Sequence, residues 1–157
     1  MRKVNAVKSL CETFEQSERL RERAHALIPG GAHTYAKGDD QYPILSPGFI
    51  ARGQGAHVWD VDGNEYIEYG MGNLAVGLGH AYPPVLEAVQ GALTLGCNFT
   101  RPHYLELECA ERFLEIITGA EMVKFCKDGS DATSGAVRLS RAYTGRDMIA
   151  CCADHPF

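Results

Sequence analysis

Between Lys124 and Asp147 the chain reads KFCKDGSDATSGAVRLSRAYTGRD, residue types whose order suits the capture of an anion. A short apolar run, Met122 to Cys126, meets a polar turn. The turn opens at once into helical periodicity through Val137, Leu139 and Ala142. Gly129 lets the backbone turn tightly and approach a ligand closely, and Ser130 or Asp131 is placed to cap the helix. A helix start carries unsatisfied N–H groups and roughly half a positive charge, a combination that suits a phosphate. The alternative is a plain capped helix after a loop. Asp128 and Asp131 tolerate an anion only if their carboxylates point away. The stretch lacks the G-x-x-x-x-G-K-[ST] pattern of a nucleoside-triphosphate loop. The glycine-rich GMGNLAVGLG, Gly70 to Gly79, likewise lacks the dinucleotide G-x-G-x-x-G spacing.

Several elements must hold that turn in place. Thr13 to Leu27 has helical spacing, with Leu20, Ala24 and Leu27 on one stripe, and Pro29 ends it. The loop that follows carries Thr34, Tyr35 and Lys37. Three short runs, PGFIARGQGA, HVWDVDG and EYIEYG, predict an antiparallel meander with a hairpin turn at Asp62-Gly63-Asn64. Val58, Asp60 and Asp62 alternate against Trp59 and Val61, so one face is expected to be solvated. Pro83-Pro84 opens a helix with Val85, Ala88, Val89 and Leu93 on one side. A further helix, about Leu105 to Thr118, is expected to bury Leu105, Cys109, Phe113, Leu114 and Ile117. Strands at Met122–Cys126 and Met148–Cys152 then flank the helix of the anion turn as a parallel βαβ unit. A parallel pair is normally buried within a larger sheet, so the chain is expected to be the front part of a longer protein.

Composition narrows the function classes. The 157 residues are 45% hydrophobic and 22% charged, with a net charge of −5, as in a globular domain with a core. A sequence pI near 5.6 argues against a nucleic-acid or anionic-membrane surface and favours a small molecule or a protein partner. No apolar run approaches the roughly 20 residues of a membrane span, and no secretory signal is visible. The cysteines at 11, 97, 109, 126, 151 and 152 form no CxxC pair. They are expected to be reduced and structural, in a cytoplasmic protein. The histidines show no metal-ligand spacing, so no metal site is expected.

The segments LIPGGAHTYAK, HVWDVDGNEYIEY, GLGHAYPPVLEAVQGAL and AEMVKF precede KDGSDATSGAVRLSRAYTGRD in an order and spacing that resemble the class III aminotransferases. The likeness runs from about Leu20 onward and is strongest to the glutamate-1-semialdehyde 2,1-aminomutases. The resemblance implies an α/β protein, the N-terminal segment of the pyridoxal-phosphate-dependent fold type I. Residues 1–70 would form the helix and meander of a small domain, and 71–157 the start of the large cofactor-binding domain, truncated. It implies pyridoxal 5'-phosphate, a small amino or carbonyl substrate, and a homodimer when the protein is complete. On this sequence the cofactor phosphate falls to Gly129 and Ser130, serine standing where threonine is usual, with Asp128 beside them. His155 matches a family histidine. Asp154 occupies the place of a ring-stacking tyrosine, which leaves Phe157 as the nearby ring.

The resemblance also places substrate contacts at Thr34, Lys37 and Asn73. Lys37 stands where the family has an arginine and loses its bidentate fork. Asn73 stands where the family has a tryptophan. Both departures imply a different, more polar carbonyl substrate than that of the aminomutase. No catalytic residue is expected within the chain. In the family, the Schiff-base lysine and the carboxylate facing the pyridine nitrogen lie downstream of the phosphate turn. The function expected is amino-group transfer on a small carbonyl substrate by the complete enzyme, the piece alone being inactive. The alternative is a truncated, non-catalytic fragment that only binds a phosphate ligand or dimerises.

Overall fold

The computed structural model of the chain describes residues 13–153. Helix α1 (Glu15–Leu27) comes first, then three single 3-10 turns at Pro29–Gly31, Tyr35–Lys37 and Asp39–Gln41. Strands β1 (Ile50–Gln54), β2 (His57–Asp60) and β3 (Glu65–Ile67) follow. Helices α2 (Pro83–Leu93), α3 (Tyr104–Ile116) and α4 (Gly129–Thr144) complete the order. Contacts divide these into two compact units, one ending at Cys97 and the other starting at Asn98.

In the first unit the expected meander forms, in the order β1-β2-β3 and antiparallel throughout. Ile50 lies opposite Asp60 and Gln54 opposite His57, with a shift of register between Ile50 and Arg52. On the other side Trp59 faces Glu65 and His57 faces Ile67. Gly63, at φ +89°, makes the turn that only a residue without a Cβ adopts freely. The covered face carries Val58 at 4% exposure and Asp60 at 2%. Trp59, on the opposite face, is half-buried under Arg52, whose guanidinium lies 3.5 Å from the ring centroid.

A buried aspartate is stable only when its oxygens are satisfied. Asp60 Oδ1 accepts the N–H groups of Asp62 (3.0 Å) and Asn64 (2.8 Å). Its Oδ2 accepts Asn64 Nδ2 and the Tyr66 hydroxyl, each at 2.8 Å. The same turn holds α1. Asp62 Oδ1 and Oδ2 accept the Gln16 and Ser17 N–H groups at 2.7 and 3.0 Å, and Asn64 Nδ2 donates to the Thr13 carbonyl at 2.9 Å. Helix α1 has no cap from its own Phe14. A carboxylate from 45 residues further along caps it instead.

Three expectations require correction. The segments Met122–Cys126 and Met148–Cys152 form neither strand nor helix. A parallel strand needs neighbours for its N–H and C=O groups, and no described residue brings a third strand between them. Helix α3 has no buried residue, and Leu105, Cys109, Phe113 and Ile117 are all exposed. Helix periodicity was legible, whereas the partner surfaces for these faces are not among the described residues. Cys97, Cys109, Cys126, Cys151 and Cys152 are free and exposed rather than packed. Cys11 lies outside the described residues.

Candidate functional site

Helix α4 begins where the anion turn was expected, but its cap is Asp128 rather than Ser130 or Asp131. Asp128 is extended (φ −148°, ψ 175°) and its Oδ1 accepts the Asp131 N–H at 2.9 Å. Its carbonyl accepts the Ala132 N–H at 3.2 Å. Ser130 and Asp131 therefore sit inside the first turn. The local rule that favours serine and aspartate at a cap admits all three positions, and only the backbone path selects Asp128. The Thr133 hydroxyl donates to the Gly129 and Ser130 carbonyls at 3.0 and 3.1 Å, which steadies the turn. At the far end Gly145 (φ +66°) closes the helix, its N–H on the Arg141 carbonyl at 2.9 Å.

This arrangement leaves the Gly129 and Ser130 N–H groups with no partner among the described residues. Both residues are exposed, and a Cβ built on Gly129 meets nothing within 4 Å. Two adjacent amides at the positive end of a 16-residue helix are donors of the kind that suit an anion. The Asp128 carboxylate is turned to its cap bond with the Asp131 N–H. The donor set fits a phosphate. His155, with Asp154 and Phe157, lies outside the described residues.

The substrate residues inferred from the resemblance lie in the first unit. Thr34 precedes the 3-10 turn that ends at Lys37, and its carbonyl accepts the Lys37 N–H at 2.9 Å. Thr34 lines a cleft of about 470 Å³ with His25, Tyr35, Asp39 and Asp40, whereas Lys37 does not. Asp39 is bound there by His25 at 3.0 Å and Arg21 at 3.2 Å. The His25 hydrogen bond is the chief cause that holds its carboxyl below the usual value. Asn73 is exposed at φ +58°, within the glycine-rich loop. The structure keeps Thr34 and Lys37 in one turn and Asp128, Gly129 and Ser130 in another.

The sequence reading gave no role to Glu68 and His80. Glu68 Oε1 accepts the Gly72 N–H at 3.1 Å and its Oε2 pairs with His80 Nε2. The histidine, then the Gly72 N–H, lower the Glu68 pKa. A carboxylate twelve residues before a histidine has no local pattern that would reveal the pair.

Residues 35–154 match the family profile described as aminotransferase class-III. The chain belongs to the class-III aminotransferase family. Relatives within reach include the glutamate-1-semialdehyde 2,1-aminomutase of Desulforamulus reducens, 38% identical over 140 residues, covering 89% of this chain and 32% of the relative. That of Desulfatibacillum aliphaticivorans is 41% identical over 138 residues, covering 87% and 32%. Among solved structures, the FumI protein of Sphingopyxis sp. MTA144, in a form containing pyridoxal phosphate, superposes at a TM-score of 0.84 with 35% identity. It covers 90% of this chain and 34% of that one. An omega-transaminase from Sphaerobacter thermophilus gives 0.77 and 34%, covering 85% and 30%. This class-III chain thus has the α/β fold of those transaminases and spans about a third of the length of its curated relatives. Among the described residues no helix is long and apolar enough to cross a membrane, and no cluster of metal-ligating side chains occurs.

Proposed function

We propose that the chain is the N-terminal portion of a pyridoxal-phosphate-dependent aminotransferase or aminomutase that moves an amino group on a small carbonyl substrate. The division into a small domain, 1–70, and the start of a cofactor domain, 71–157, belongs to the same reading. So do a homodimeric complete enzyme and a cytoplasmic location. The observation that carries it is the pair of unpartnered amides at Gly129 and Ser130, in a chain of this family. Those amides and the Ser130 hydroxyl would hold the cofactor phosphate. Asp128 would act by keeping the Asp131 N–H occupied and the turn shaped. His155 would stand near the ring.

When bound, the cofactor supplies an electron sink for the charge left as a proton departs from carbon. The chain's own part is placement. The α4 dipole offsets the phosphate charge, and Lys37 offers a point charge to an anionic substrate end. Asn73 offers amide hydrogen bonds in place of an aromatic wall, which favours a more polar substrate than glutamate-1-semialdehyde.

The test is pyridoxal phosphate binding, followed by absorbance and competed with inorganic phosphate. Gly129→Ala is expected to leave the fold intact or to stabilise it by about 0.4–1 kcal/mol, because φ there is not left-handed and space is open. The same variant weakens cofactor binding by about tenfold, since its methyl takes the volume the phosphate needs. Equal affinity in the variant would reject the site. Phosphate-competed binding with no amino transfer by any complete protein carrying the chain would support the non-catalytic alternative.

A further inference from the structure

We infer that Glu68 and His80 are positioning residues that lock the 70–81 loop, so that Asn73 meets the substrate in one fixed conformation. The inference rests on the amino-transfer reading above for its substrate, but the lock itself stands on geometry. Four non-glycine residues of this loop, Met71, Asn73, Leu74 and Ala81, have φ between +41° and +67°. Side chains other than glycine hold such a backbone only where the surroundings over-determine it, a situation that recurs at ligand clamps.

Three ties supply the over-determination. Gly55 and His80 form an antiparallel bridge with both hydrogen bonds at 2.8 Å. Glu68, itself anchored by its N–H to the Ala56 carbonyl at 2.8 Å, holds Gly72 at one end of the loop and the His80 ring at the other. Finally, a Cβ on Gly53 would stand 2.6 Å from the His80 ring, and one on Gly79 would stand 3.0 Å from Gly55 Cα. The loop is therefore pressed against the meander where it ends. Between the ties, Leu74 N–H reaches Gly70 O at 2.8 Å and Val76 N–H reaches Met71 O at 3.0 Å. Asn73 and Leu74 are left exposed at the tip. A single carboxylate thus controls both ends of the strained segment, and neither Glu68 nor His80 needs to touch substrate.

Two measurements separate the lock from its use. Hydrogen exchange in the complete enzyme is expected to speed up by about tenfold at residues 71–79 in Glu68→Ala, the equivalent of one lost hydrogen bond to a charged group. The amides of β2 keep their protection. Glu68→Gln, which keeps an acceptor for Gly72 and a polar group facing His80, restores most of it. His80→Phe keeps the backbone bridge and the ring volume and loses only the Glu68 bond, so it reads the lock should Glu68→Ala fail to fold. Unchanged exchange at 71–79 in both variants, or a rise spread evenly over β2, overturns the lock. In the complete enzyme, Glu68→Ala is expected to raise KM for the substrate by about tenfold with kcat little changed, and Glu68→Gln to recover it. A fall in kcat at constant KM overturns the positioning role. A parent enzyme with no amino transfer rejects the functional reading instead, and the exchange result still decides the lock.

Discussion

Asp128 combines two properties that pull in opposite directions: it satisfies one amide of α4 and sets a negative charge beside two others. Substituting alanine removes the cap and is expected to cost about 1 kcal/mol, read as a lower urea midpoint. Asparagine keeps the oxygen that accepts the Asp131 N–H and removes the charge. Asp128→Asn is therefore expected to unfold at nearly the parent midpoint while binding pyridoxal phosphate more tightly. If it binds more weakly, the carboxylate contributes more than a cap. Gly129 and Ser130 were legible as a turn into a helix because glycine, a hydroxyl and a helix start are local features. Which of three polar residues caps the turn was not, since that choice depends on where the preceding backbone runs.

At the level of elements, the β2–β3 turn is a joint as well as a connection. Asp60 gathers four donors in the covered face, so Asp60→Ala strands several buried polar groups and is expected to destabilise the first unit by about 3 kcal/mol or more. Asp62, from the same turn, caps α1. Partial burial raises its carboxyl pKa, but hydrogen bonds from Gln16 and Ser17 outweigh that and leave it lowered. Glu68 is lowered too, chiefly by His80. A carboxyl with a lowered folded pKa binds its proton less tightly when folded. Its stabilisation is present above the unfolded value near 4 and is lost as pH falls through the folded value. The Tm is therefore expected to drop as pH falls below about 4, and Asp62→Asn to shallow that drop. An unchanged pH profile in the variant would show that the Asp62 charge adds nothing to the α1 cap. The helices and the hairpin were visible in periodicity and in Asp62-Gly63-Asn64. The cap of α1 was not, because its donor and acceptor are 45 and 46 residues apart.

At the scale of the molecule, surface is the governing quantity. Val58 is the buried hydrophobic of the described residues, while Met122, Leu139, Tyr143 and Met148 stand in solvent. Such a chain is expected to bind an apolar dye strongly and to melt over a broad range. A sharp transition without dye binding would contradict the view that other parts of a class-III fold cover these faces. Met122–Cys126 and Met148–Cys152 are the clearest instance: their residues suit strands, yet they remain unpaired. By itself the sequence determined the helices, the meander, the family and the Gly129-Ser130 turn, because each is written in spacing over a few residues. The tertiary structure alone decided that Asp128 frees those two amides, that Asp62 caps α1, and that Glu68 binds His80. Each of these depends on where the backbone brings side chain and partner together, and spacing along the chain does not encode that.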